Sequence, residues 1–164
     1  MMFSTSEAAQ KAARSVVLAA QQADLLPSTI AIAPELAEAE KQLLTQMLGE
    51  LRHHAAFSLD EISSLFTFVT AKAAEAATDF LNGKEIKFEL AGMLDGKAPI
   101  YAAEHLTGHL KTIDFGRICA QGYIDWFESG DKLDHYDPRL LLFEALKWTF
   151  RLTCALSVDF LQKK

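Results

Sequence analysis

The chain has 164 residues, half of them apolar and 23% charged, a globular composition that excludes intrinsic disorder. A chain of this length buries about two-thirds of its unfolded surface, so it needs neither disulfides nor a structural metal in order to fold. The formal charge is −6 and no basic run interrupts the sequence, which argues against nucleic acid or an anionic membrane surface as direct partner, since both are read by clustered Lys and Arg.

Ser4 and Glu7 stand at capping-box spacing and predict an Ala/Gln-rich helix to about Leu26, stopped by Pro27. Residues 27–33 read as a connector, the one hinge available between an N-terminal arm and the rest. Pro34 suits a first helical position, with Glu35 and Glu38 complementing the helix dipole. Leu36, Leu43, Leu44, Met47, Leu48 and Leu51 give that second helix an apolar stripe. Ser58 and Glu61 form a second capping box, with Phe57 and Ile62 placed to staple it, and the helix they open runs to Leu81, where Asn82-Gly83 supplies a left-handed cap.

Residues 84–94 are ambiguous. Ile86, Phe88 and Leu90 alternate like a strand, whereas Ile86, Leu90, Met93 and Leu94 fit a short helix, the reading that helical flanks favour. Further helices are expected over 99–113 and 115–129. Asp137 as cap and Pro138 as first residue then open the longest helix, which reaches about Gln162 and is apolar almost all round. Along it, Glu144, Lys147 and Arg151 are spaced to pair on one polar strip. Aromatic residues concentrate from Phe80 onward, which places the heavy core in the C-terminal half. The expected fold is therefore all-α, a single-domain bundle of about five to seven helices over 1–164, in which 1–26 could pack as an arm.

Cys119 and Cys154 fall inside helical segments and read as buried, reduced thiols. With no signal-peptide pattern and no apolar run of membrane-spanning length, a cytoplasmic location is expected.

The strongest chemical pattern is His105-Leu-Thr-Gly-His109. Two histidines four apart on one helix can reach a single Zn²⁺, Ni²⁺ or Fe²⁺, with Tyr101 in the same row and a third ligand drawn from Glu50, His53, His54, Asp114 or His135. Both lie more than a quarter-turn from the centre of the stripe Ile100, Ala103, Leu106, Leu110 and Ile113, so they face water or a second neighbour. Glu50-Leu-Arg-His53 matches the Glu-x-x-His pair of di-iron bundles, but His53 points away from the Leu43/Met47/Leu51 stripe and no second copy exists. His54 does lie on that stripe, either buried or set against the last carbonyls of its helix. The order His54, then His105 and His109, resembles the DinB-like metal-binding bundles. The likeness is confined to those three residues, and what it implies is that His54 would join the ligand set.

Glu128, Asp131, Asp134, His135 and Asp137 crowd one connector without the spacing of a calcium loop. No phosphate loop, nucleophile elbow or Cys-x-x-Cys is present. The leading expectation is a non-enzymatic bundle that acts by binding another protein or itself, motivated by the apolar last helix and by a thin face of Val16, Val17, Ala20 and Leu25 on the first. The alternatives are a divalent-metal protein using His105 and His109, and a small-molecule sensor with an aromatic pocket near Tyr123, Trp126 and Trp148.

Overall fold

In the computed structural model, which describes residues 7–27, 29–54, 56–94, 111–129 and 137–162, the helical periodicities resolve into five helices, with no β-strand among the described residues. They are α1 (Glu7–Gln22), α2 (Pro34–Glu50), α3 (Leu59–Leu81), α4 (Thr112–Glu128) and α5 (Pro138–Gln162). The chain is an all-helical bundle. Four helices close a ring in which α1 touches α4, α4 touches α3, α3 touches α5 and α5 returns to α1. α1 and α3 occupy opposite corners without contact, α4 and α5 meet across the middle, and α2 lies outside the ring against α3 and α5. α5 is thus the helix that touches every other.

Local chemistry sets most of the helix ends. Ser58 Oγ accepts the Glu61 N–H at 3.1 Å while Glu61 Oε1 accepts the Ser58 N–H at 2.9 Å, which completes the capping box. Asp137 Oδ1 accepts the Arg139 N–H at 2.9 Å and caps α5 ahead of Pro138. Gly83, at φ +69°, ends α3 as expected: the Lys84 N–H reaches the Asp79 carbonyl at 2.8 Å and the Gly83 N–H reaches that of Phe80 at 3.2 Å.

The same motif closes α1 four residues earlier than Pro27 suggested. Asp24 takes the left-handed position at φ +59°, and the Leu25 N–H bonds the Ala20 carbonyl at 2.8 Å. Asp tolerates that conformation because its short polar side chain can bond locally. The Ser4 half of the expected first capping box lies outside the described residues.

Three further expectations are corrected. Residues 84–94 form neither helix nor strand. From 85 to 90 the exposure alternates, with Ile86, Phe88 and Leu90 packed on the core and Glu85, Lys87 and Glu89 in solvent, followed by a turn. The boundary expected between helices 99–113 and 115–129 does not exist where it was placed, because α4 begins at Thr112 and runs through Asp114; residues 99–110 lie outside the described residues. Nor is the core confined to the C-terminal half. Phe66 and Phe68 of α3 and Leu36, Leu43 and Met47 of α2 are as deeply buried as Phe115, Tyr123 and Phe150, and each such side chain contributes roughly 1.5–3 kcal/mol.

α1 is not left as an arm. Ala8, Ala9, Ala12, Ala13, Val16 and Ala20 face α4 and α5, and the connector follows them down, with Leu25, Ile30 and Ile32 packed on the core. Two glycines of α4 permit the close crossings this needs. A Cβ at Gly122 would stand 2.5 Å from the Ala19 Cβ, and one at Gly116 would stand 2.7 Å from Thr70 Oγ1 and 2.9 Å from the Thr67 Cα. Hydroxyls buried in the ring return to their own helices, as Thr149 Oγ1 does to the Ala145 carbonyl and Thr153 Oγ1 to the Thr149 carbonyl.

Candidate functional site

The stripe of α2 contains a carboxylate. Glu40 sits between Leu36 and Leu43 in the same register and is only 5% exposed. A buried carboxylate needs a charged partner, and Arg151 of α5 provides it: Nε donates to Oε2 at 2.8 Å and Nη2 to Oε1 at 3.2 Å. Burial pushes the Glu40 carboxyl above the usual carboxylate range, against the opposing pull of the Arg151 hydrogen bonds and charge. Arg151 therefore pairs across to α2 rather than along the strip expected with Glu144 and Lys147, which pair with each other at 3.1 Å.

The outer face of Arg151 lies over the Trp148 ring, 4.9 Å from guanidinium carbon to ring centroid. This stack forms one wall of an open groove of 530 Å³ between α1 and α5. Gln10, Ala13, Arg14 and Val17 form the α1 wall, Ile30 comes from the connector, and Glu144 and Lys147 complete the α5 side. Among the described residues, neither the exposed Arg14 guanidinium nor the Trp148 indole N–H has a hydrogen-bond acceptor. The groove thus combines apolar walls with hydrogen-bond donors and a Trp–Arg pair clamped on one side by Glu40. Neither Glu40 nor Arg14 was singled out from the sequence. The signal for Glu40 was a carboxylate inside an apolar stripe.

The aromatic pocket expected near Tyr123, Trp126 and Trp148 does not assemble. Tyr123 is buried against Phe66, Trp126 and Phe127, with ring centroids 5.7 to 5.9 Å apart. Trp126 faces a separate groove of 330 Å³ between α1 and α4, and Trp148 the one between α1 and α5; Arg14 is the residue common to both. α1 stands between the two indoles.

His105 and His109 lie outside the described residues, as do Tyr101, His135, Asp131 and Asp134. Of the other histidines, His54 is half-buried, stacked on Phe57 with centroids 5.0 Å apart, its Nε2 3.3 Å from Glu61 Oε2. It links the end of α2 to the capping box of α3 and does not turn back on its own last carbonyls. The Ser58 backbone hydrogen bond and the His54 contact together hold the Glu61 carboxyl below the usual range. Glu50 and His53 are exposed, and Asp114 pairs with Arg117 at 3.4 Å. Among the described residues, no three His, Cys, Asp or Glu side chains converge on a point that could hold a metal.

Both thiols are buried. Desolvation pushes Cys119 up to about 12 and raises Cys154 as well, and Cys154 Sγ lies 3.6 Å from the Ala73 carbonyl. Neither can supply a thiolate nucleophile near neutral pH. Among the described residues, no helix is long and apolar enough to cross a membrane. Compared with protein-family models, curated proteins and solved structures, the chain matches none.

Proposed function

We propose that the chain is a non-enzymatic helical bundle that works by docking another protein in the α1–α5 groove. The observation that carries this reading is the Trp148–Arg151 stack, anchored from beneath by Glu40 and open to solvent on the groove side. Trp and Arg are the side chains that most often dominate protein–protein binding energy. An anchor already held in place loses little entropy when a partner arrives.

Two motives for self-association are weaker on this fold. Val16 and Ala20 of the thin α1 face are buried and Leu25 packs on the core of the same chain, and α5 touches the other four helices of the described residues. A different protein is therefore the preferred partner. Size-exclusion of a fresh native extract, followed by immunodetection, tests the reading. The protein should elute well above its 18.1 kDa mass, and a Trp148→Ala/Arg14→Glu variant should fall back to it. Elution of the wild type at monomer mass would count against docking, and a large species that persists in the pure protein would transfer the role to self-association.

A further inference from the structure

The charge at the groove is inverted relative to the chain. Overall the protein carries −6, yet Arg14, Lys147 and Arg151 gather at this one surface. Arg151 is paired with Glu40 on its buried side and Lys147 with Glu144 in the groove wall, so the exposed Arg14 carries the surplus positive charge among the described residues. Hydrogen bonding has the same polarity. The Arg14 guanidinium and the Trp148 indole N–H are donors without acceptors among the described residues, and the Arg151 Nη1 stands outside the clamp on Glu40. A groove with surplus donors and surplus positive charge is complementary to carboxylates. Its apolar parts, Ala13, Val17, Ile30 and the Trp148 ring, require an apolar surface alongside them. The α1 wall extends from Gln10 to Val17, roughly 10 Å at 1.5 Å per residue, which matches about two turns of a docked helix.

We infer that the occupant is an acidic, amphipathic segment of the partner protein, its Asp or Glu side chains on Arg14 and its apolar anchors against Trp148, Val17 and Ile30. The inference rests on the docking reading and specifies its partner. Recognition of this kind uses anchors at i, i+3 or i+4 and i+7 on one helical face. Its electrostatic part is rim-exposed, so it sets partner choice and weakens with salt.

The test is selection of a random peptide display library on the pure full-length chain, with Arg14→Glu and Trp148→Ala as separate comparison targets. Arg14 is exposed, so the Arg14→Glu variant should keep its fold, checked by helical circular dichroism and melting. The expected result is enrichment of peptides that combine Asp or Glu with Leu, Phe or Trp. Their affinity should drop at least about tenfold on Arg14→Glu and fall with rising salt. Enriched peptides without acidic bias that still bind through Trp148 would overturn the acidic partner while leaving docking intact. No enrichment, or enrichment indifferent to both substitutions, would overturn the inference. Equal binding by a free carboxylate such as phenylpropionate would overturn it in favour of a small-molecule site.

Discussion

Arg151 grips Glu40 side-on across 111 positions of sequence, with Nε to Oε2 at 2.8 Å and Nη2 to Oε1 at 3.2 Å. The contact ties the outlying α2 to the central α5 and fixes the plane on which Trp148 stacks. Removing Arg151 strands a buried carboxylate, so Arg151→Ala should cost about 2 kcal/mol in chemical denaturation, less than a fully buried pair because a third of Arg151 is exposed. Replacing both residues by apolar ones should cost less than the sum of the single changes.

The pH profile of that pair has a definite sign. Burial raises the Glu40 carboxyl above 4.5, so the folded chain holds its proton more tightly than the unfolded chain does. Stability therefore declines as pH rises through the interval between the unfolded and folded values. Arg151 opposes the rise, and without it the interval extends upward. Melts of Arg151→Ala against the wild type should differ more at about pH 7 than at about pH 4; an equal difference would refute the linkage.

Glu61 behaves oppositely. Its carboxyl is held below 4.5 by the Ser58 N–H first and by His54 second, so its contribution is present above the ordinary value and disappears as pH falls through the folded one. In a side-chain NMR titration, His54→Ala should move the Glu61 midpoint upward but leave it below 4.5. Ser58→Ala should cost about 1 kcal/mol of stability by loss of the cap.

The three helical glycines among the described residues separate by environment. Gly49→Ala meets nothing within 4 Å and should stabilise by about 0.5–1 kcal/mol through helix propensity. Gly122→Ala and Gly116→Ala each place a Cβ under 3.0 Å from a neighbouring helix and should destabilise by about 1 kcal/mol or more despite the same propensity gain. Thermal melts of the three single variants give the comparison directly.

Thiol labelling checks the interior. Neither Cys119 nor Cys154 should react with iodoacetamide in the native protein, and both should react in urea.

Legibility followed the range of the forces involved. Pro34, Ser58 with Glu61, Gly83 and Asp137 with Pro138 act within a turn of chain, and each set its boundary where the sequence indicated. Asp24 was missed because it fills a glycine-type position without being glycine. Leu48, read as part of the α2 stripe, is 43% exposed because it lies one residue, about 100°, beyond Met47. The groove itself was hidden. Arg14, Ile30 and Trp148 come from three segments whose meeting depends on α1 packing against α5, and no local pattern states that.

The most direct test places a photo-cross-linking amino acid at Val17, inside the groove, and at the exposed Glu38 on α2 as control, each in the full chain within its native cell. The docking account predicts a discrete cross-linked protein from Val17, absent from Glu38 and lost on Trp148→Ala. Cross-links that are equal at both positions, or that are absent from Val17, would contradict it.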